Sequence, residues 1–430
     1  MFWDKKNETL KGEKLEALQL KRLKQTIRQS QKVEFYKKRL AENNIRPEDI
    51  KTLDDIQKIP FTRKQDLRDG YPFGFLAVPL KKVVRIHTTS GTTGKPTVVG
   101  YTRKDLDTWA DLIARNMTMV GITDDDVFQN MVNYGMFTGG LGFHYGAEKI
   151  GMTVIPSATG NTKRQIETMK DFGVTTIHCT PSYAMHLSEV AEEMHVSLDS
   201  LKTGIFGAES WSETMRKSLE NRLEITAYDS YGLSELFGPG VAFECPERNG
   251  LHIWHDVFLV EIINPQTGEQ LGDGERGELV VTPLVKEAMP LLRYRIGDIT
   301  MKIEDDCVCK RGQKIARITG RSDDMLVIRG INVFPSQIEH VLLKIPEVGN
   351  QFMVYVDRVN HLDEMTVDVE INRGYFSGEL ADLTRIQKKV VKELGDALDL
   401  RTTVKLVEPG SLPRFEGKAK RVIDQRGDKI

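Results

Sequence analysis

From residue 83 onward the chain alternates short apolar runs with amphipathic helical periods, and this alternation constrains its fold more than any other feature. Residues 83–86 and 97–101 read as strands, and behind Thr102 the residues Leu106, Trp109, Ile113 and Met117 recur at helical intervals. Ile166, Met169 and Phe172 mark another helix, and 174–179 a strand whose Cys179 reads as core. Thr180-Pro181 then offers an N-cap followed by proline at the first helical position. Strands separated by helices pair in parallel beneath those helices, so the pattern predicts α/β layers.

Two later segments change the pattern. The β-branched runs 258–263 and 277–281 flank the turn signals Asn264-Pro265 and Asp273-Gly274, which predicts a β-rich subdomain. Further on come a strand at 325–328, a helix marked by Ile338, Val341 and Leu342, and strands at 352–356 and 365–371. A helix through Leu380, Leu383, Val390 and Leu394 and a strand at 403–407 complete βαββαβ, a small ferredoxin-like α+β unit. A chain of 430 residues is too long for one core. The expected division is a large domain over 1–322 and a small mobile one over 323–430.

Charge excludes one class of partner. Lys and Arg number 60 against 62 Asp and Glu, a formal net charge of -2, so no global positive field invites nucleic acid. Arg22 and Lys24 lie among Leu20, Leu23 and Ile27 at helical spacing and read as the solvated face of a helix. No apolar run approaches the ~18 residues that span a bilayer, and Met1-Phe2-Trp3-Asp4-Lys5-Lys6 does not open a signal peptide. The expectation is a cytoplasmic protein with no membrane partner.

The densest chemical signal is Thr88-Thr89-Ser90-Gly91-Thr92-Thr93-Gly94-Lys95-Pro96. Its hydroxyls, glycines and lysine, placed after a strand, suit phosphate oxygens, because glycine lets backbone N–H groups approach and each hydroxyl adds a donor. It is not a Walker A loop, whose glycine lies five residues before the Gly-Lys pair. The loop resembles the phosphate-binding signature of the adenylate-forming superfamily, which includes the acyl-CoA synthetases. Tyr231-Gly232-Leu233-Ser234-Glu235, Gly207-Ala208-Glu209, Tyr294-Arg295-Ile296-Gly297-Asp298, Gly320-Arg321-Ser322-Asp323-Asp324 and Gly417-Lys418 resemble its further signatures, in the family's order.

What the resemblance implies can be stated residue by residue. Ser90, Gly91, Thr92, Thr93, Gly94 and Lys95 would hold phosphates, with Thr92 among the catalytic groups. Gly207, Ala208, Glu209, Asp229, Ser230, Tyr231, Gly232 and Ser234 would line the nucleotide, and Glu235 would hold Mg2+. Asp298 would accept both ribose hydroxyls, Arg321 would lie near the ribose, and Asp323 and Gly330 would serve the hinge. Lys418 would sit between the substrate carboxylate and the α-phosphate as a fixed cation. One departure is Thr97, where many members place a second lysine.

The stretches 71–74, 137–142, 144–148 and 330–336 look like the phenylacetate–CoA ligase branch. That implies ATP-dependent ligation of an aryl-acetic acid to CoA through an acyl-adenylate, with Tyr134, Phe137, Ala147 and Ala208 around the acid, and a homodimer. Two rival activities are an adenylyltransferase that passes AMP to a deazaflavin and a nucleotide-binding regulatory protein without catalysis. Cys245, His252, Cys307 and Cys309 also make up a tetrahedral set suited to structural Zn2+, with His255 as a substitute ligand. The competing reading has Cys307 and Cys309 alternating across a strand and binding nothing.

Overall fold

The computed structural model describes residues 1–89, 96–303, 306–321, 326–329, 331–359, 362–375, 380–414 and 421–426. Ser90, Gly91, Thr92, Thr93, Gly94, Lys95, Asp323, Gly330 and Lys418 therefore lie outside the described residues. Two compact units form. The first comprises Met1–Cys179, Glu193–Ala208 and Ile225–Arg317, the second Thr180–Glu192, Glu209–Glu224 and Ile318–Ile430. The second unit thus takes in two helical segments from the middle of the chain. No helix among the described residues is long and apolar enough to cross a membrane.

The first unit opens with helices α1 (Lys5–Glu8), α2 (Gly12–Ser30), α3 (Glu34–Glu42) and α4 (Lys64–Asp69). In α2, Leu23 and Ile27 are fully buried, as their spacing predicts. Arg22 departs from its expected solvated role, because it donates to the Asp256 carbonyl oxygen and lies 3.5 Å from the Asp256 carboxylate. Strands β1 (Arg85–Thr88) and β2 (Val98–Tyr101) form an antiparallel pair. Helix α5 (Arg103–Met119) follows, opened by a reciprocal cap: Asp105 N–H donates to Thr102 Oγ1 at 3.2 Å, and Thr102 N–H to Asp105 Oδ2 at 2.9 Å.

The chain then alternates through β3 (Val127–Asn130), α6 (Thr138–Ile150), β4 (Thr153–Ile155), α7 (Thr162–Asp171) and β5 (Thr176–Cys179). Helices α8 (Pro181–Glu193) and α9 (Glu213–Leu223) precede β6 (Thr203–Gly207) and β7 (Thr226–Leu233) respectively. Among the described residues, β4, β3, β5, β6 and β7 run parallel in that spatial order. The sheet continues antiparallel through β8 (Gly238–Glu244), β9 (Leu251–Ile253), β14 (Lys314–Ile315) and β13 (Lys302–Ile303). Every residue of β5 is buried, as expected for a central parallel strand. Helices α5 and α6 approach so closely that a Cβ on Gly142 would lie 2.5 Å from Trp109 and one on Gly146 2.2 Å from Ile113. The expected β-rich part is the antiparallel set β10 (Phe258–Ile263), β11 (Gly277–Pro283) and β12 (Tyr294–Thr300).

The late part of the chain contributes β15 (Gly320–Arg321), β16 (Leu326–Ile328), β17 (Ile331–Val333), α10 (Pro335–Leu342), β18 (Val348–Val359) and β19 (Leu362–Ile371). Helix α11 (Leu380–Leu398), β20 (Thr403–Val407) and β21 (Val422–Asp424) complete it. Ile338 and Leu342 of α10 and Val390 and Leu394 of α11 bury themselves with Val354, Val356, Val367 and Val369 of the sheet. The strands and helices follow in the expected order, but the sheet runs β20-β19-β18-β21. The strand expected at 325–328 is not part of it. That short strand closes on β17 as a separate hairpin, and β21 takes the place beside β18, in parallel.

Candidate active site

The nucleotide signatures meet where β6 and β7 end side by side, with Phe206 opposite Asp229 and Gly207 opposite Ser230. A Cβ on Gly207 would lie 2.3 Å from the Ser230 carbonyl oxygen, so the position admits only glycine. Ala208 follows at φ +70°, a left-handed conformation. Glu209 accepts from the Ser182 N–H at 2.7 Å and from the Ser182 hydroxyl. Tyr231 donates to Asp298 Oδ2 at 2.5 Å, which joins the β7 signature to the β12 signature. Asp229 is held by Arg317, whose Nε lies 3.0 Å from Oδ2, and its backbone N–H donates to Glu244 at 2.8 Å. A Cβ on Gly232 would sit 2.1 Å from the Gly238 carbonyl oxygen, at the register shift between β7 and β8.

Glu235 is 4% exposed. Its Oε1 accepts from the Tyr294 hydroxyl at 3.1 Å and lies 4.0 Å from Lys64 Nζ. Ser234 Oγ is 3.0 Å from Thr138 Oγ1, tying this turn to the start of α6. The flanks of the hydroxyl-rich loop are fixed nearby in sequence and space. Thr89 N–H donates to Thr97 O at 3.0 Å and Thr88 N–H to Met136 O at 2.9 Å. Arg321 stands half-buried in β15 of the second unit.

The residues expected around the acid occupy different settings. Tyr134 is half-buried, and its hydroxyl accepts from Asn130 Nδ2 at 2.9 Å and lies 3.3 Å from His144 Nδ1. Burial pushes its phenol up to about 12, so it stays protonated. Asn130 Oδ1 lies 2.9 Å from His178 Nδ1. Burial pushes His178 down to about 3, which keeps the ring neutral and makes it the donor. Phe137 is 41% exposed, Ala208 is exposed, and Ala147 is fully buried within α6.

The cysteine and histidine set converges. The ligand atoms of Cys245, His252, Cys307 and Cys309 all lie within 4.8 Å of one another. Cys245 follows the last residue of β8, His252 lies in β9, and the pairing of Phe243 with His252 brings them together. Cys307 and Cys309 share a turn closed by Lys310 N–H on Cys307 O at 2.8 Å, and do not alternate across a strand. Cys309 Sγ is 3.1 Å from His252 Nε2, and Cys245 Sγ is 3.6 Å from Cys307 Sγ. His252 Nδ1 lies 2.8 Å from the Gly312 carbonyl oxygen, so it carries the proton and leaves Nε2 as the lone-pair nitrogen. Hydrogen bonding, chiefly from Cys245, holds the Cys309 thiol far below its ordinary value. His255 is not part of the cluster: it is half-buried outside it, and burial of the ring pushes it down to about 4.

Comparison with known proteins settles the family. Residues 12–283 match the model described as AMP-binding enzyme, and 330–426 match the AMP-binding enzyme C-terminal domain. A phenylacetate-coenzyme A ligase of Aromatoleum evansii is 47% identical over 420 residues, covering 96% of this chain and 95% of the relative. This chain belongs to the phenylacetate–CoA ligase family of AMP-binding enzymes. The Escherichia coli member is 45% identical over 424 residues, covering 97% of each chain. Among solved structures, 2-hydroxyisobutyryl-CoA ligase in its postadenylation state with 2-HIB-AMP superposes with a TM-score of 0.93. That likeness, at 27% identity, covers 99% of this chain and 92% of the other. The same ligase in its thioesterification state, with CoA, gives 0.73 at 28% identity.

Sequence reasoning missed several residues of the candidate site. Tyr101, Lys286, Thr138, Tyr294 and Arg317 contact the signature residues directly. For Tyr294 a signal existed, since it opens the signature that ends at Asp298. Lys286 and Arg317 carry none, because a lysine or arginine in a polar stretch reads as solvated until its partner is known.

Proposed function

We propose that this chain ligates phenylacetate, or a close aryl-acetic relative, to CoA through an acyl-adenylate. The observation that carries the reading is near full-length identity of 45–47% to four phenylacetate-coenzyme A ligases. The meeting of two nucleotide signatures at Tyr231 and Asp298 supports it. A substrate carboxylate oxygen attacks the α-phosphorus of ATP, and the bond to pyrophosphate breaks. The CoA thiol then attacks the acyl carbon, AMP leaves with its electron pair, and the thiol proton passes to solvent. No cysteine nucleophile is needed, because the adenylate is already activated.

In this reading Asp298 accepts the ribose hydroxyls while Tyr231 holds one of its oxygens in place. Lys418 faces the converging carboxylate and α-phosphate, and the loop 90–95 with Thr92 cradles the departing phosphates. Glu235 suits Mg2+, since it is a buried carboxylate whose described hydrogen bond is to a neutral hydroxyl. When bound, that cation would neutralise polyphosphate charge. Tyr134 and Phe137 form one wall for an aryl ring, with Ala208 and Ala147 as small neighbours. The interval between the two matched stretches supports a domain boundary near 322/323 with Asp323 and Gly330 as hinge residues.

Structural Zn2+ on Cys245, His252, Cys307 and Cys309 belongs to the same proposal. Its support is the fit of three sulfurs and one correctly protonated imidazole within 4.8 Å. A cytoplasmic homodimer completes it, on family likeness, and sedimentation checks the dimer. The test of the activity is pyrophosphate release with ATP and Mg2+ across aryl and short aliphatic acids, with and without CoA. The expected result is CoA-dependent turnover, greatest with phenylacetate or a near relative. Single-turnover release that CoA does not accelerate would overturn the ligase reading in favour of adenylyl transfer.

A further inference from the structure

Glu235 lies in the turn that links β7 to β8, closed by Leu236 N–H on Leu233 O at 3.1 Å. Three carbonyl groups of that turn point at buried donors from elsewhere in the first unit. The Tyr101 hydroxyl, at the end of β2, lies 3.0 Å from both Ser234 O and Phe237 O. Lys286 Nζ donates to Glu235 O at 2.7 Å. The lysine is 3% exposed, with its ammonium 5.0 Å from the Tyr101 ring centroid and 5.6 Å from that of Phe237.

Lys286 is itself fixed from behind. The two residues after it, Glu287 and Ala288, donate their N–H groups to the Asp105 carboxylate at 2.6 and 2.9 Å. Asp105 is fully buried and also caps α5. The start of α5, the end of β2 and the segment after β11 therefore converge on one turn. Packing alone does not account for an ammonium here. Burying one is costly unless its charge is used. Its direct contacts are a carbonyl oxygen and two ring faces, and no carboxylate oxygen comes within 4.0 Å among the described residues. A neutral apolar side chain would fill the space at lower cost, so the charge serves the turn.

We infer that Lys286 and Tyr101 are positioning residues that grip the backbone of the 234–237 turn and so aim the Glu235 carboxylate. The inference rests on the proposal that Glu235 holds the divalent cation. Neither residue touches substrate. Both set the direction of a carboxylate that does its work only when pointed at the polyphosphate.

The test uses the full-length protein with Tyr101→Phe, Lys286→Met and, as a reference, Glu235→Gln. Mn2+ binding is titrated by electron paramagnetic resonance in the presence of a non-hydrolysable ATP analogue, and the Mg2+ half-saturation of pyrophosphate release is measured beside it. Tyr101→Phe and Lys286→Met are each expected to weaken Mn2+ binding about tenfold, as for one lost buried hydrogen bond of the stronger kind. Binding of the analogue without metal should not change, which separates this role from loss of structure. Should Lys286→Met fail to fold, Tyr101→Phe decides, because it removes one oxygen and no volume of consequence. Wild-type Mn2+ affinity in both variants, with weakened affinity in Glu235→Gln, would overturn this inference alone. Wild-type affinity in Glu235→Gln as well would overturn the metal reading and this inference with it.

Discussion

Glu261→Gln tests how the strand β12, which carries Tyr294 and Asp298, is anchored. Arg293 leads directly into β12, whose Tyr294 and Asp298 reach Glu235 and Tyr231, and it adopts φ +44°, an uncommon value for a non-glycine residue. Its guanidinium holds that conformation from several sides. Nε lies 3.1 Å from both Glu261 carboxylate oxygens, Nη2 lies 2.7 Å from Oε1, and Nη1 donates to Gln57 O at 3.0 Å and Ile59 O at 2.9 Å. The two side chains are 5% and 4% exposed, so water does not screen the pair. Glutamine keeps the shape but leaves one accepting oxygen, and its NH2 group faces the guanidinium donors. Breaking one side of a buried ion pair costs about 3–5 kcal/mol, because the remaining charge stays buried without its counter-ion. Urea unfolding at neutral pH should show that loss in the midpoint with the slope unchanged. Glu261→Met combined with Arg293→Met should be more stable than Glu261→Met alone, since no stranded guanidinium remains. A Glu261→Gln variant within about 1 kcal/mol of wild type would refute the argument.

Three further outcomes follow from the geometry. Wild-type protein should carry about one equivalent of zinc by elemental analysis, as a closed tetrahedral site requires, and Cys307→Ser should lose it together with thermal stability. Metal-free wild type from zinc-supplemented growth would sink that proposal. Tyr231→Phe removes a hydrogen bond to a carboxylate, so KM for ATP should rise about tenfold with a smaller change in kcat; an unchanged KM would show that Asp298 needs no such support. Burial pushes the Glu339 carboxyl from 4.5 up to about 7, although Arg421 lies 3.8 Å away. The raised value means the folded form holds its proton more tightly. The stabilisation is therefore complete below about pH 4.5 and lost as the pH rises through about 7, by at most about 3 kcal/mol. Melting of the wild type should weaken from pH 5 to pH 8 more than that of Glu339→Gln, and parallel profiles would count against it.

What could be read from the sequence and what could not differ by the range of the physics involved. The start of α5 was legible because Thr102 and Asp105 cap each other across three residues. The nucleotide signatures were legible because each packs its chemistry into five consecutive positions. Their meeting was not, since Tyr231 and Asp298 are 67 residues apart and only sheet geometry brings the hydroxyl to the carboxylate. The cysteine set is the instructive middle case. Six residues between Cys245 and His252 look too many for a metal pair, until the antiparallel pairing of β8 with β9 folds that spacing back on itself. The pairing of Lys314 with His252 then brings in the strand that follows the Cys307 turn. Residue types named the candidate ligands, and strand register brought them together.

Arg22, Lys286 and β21 show the opposite limit. Arg22 sits on the polar side of a helical period, and the period is correct, but Asp256, 234 residues away, decides whether that side faces water. Lys286 is written in the same letters as a surface lysine, and its burial is imposed by Asp105, Tyr101 and the 234–237 turn together. β21 is three residues long and acquires its strand character from the edge of β18 that it completes. In each case the local sequence supplies a donor or an extended segment, and the tertiary fold supplies the reason for it. Groups whose partners are remote are therefore where positioning residues hide, because a family signature records the side chains that meet the ligand and is silent about those that hold them in place.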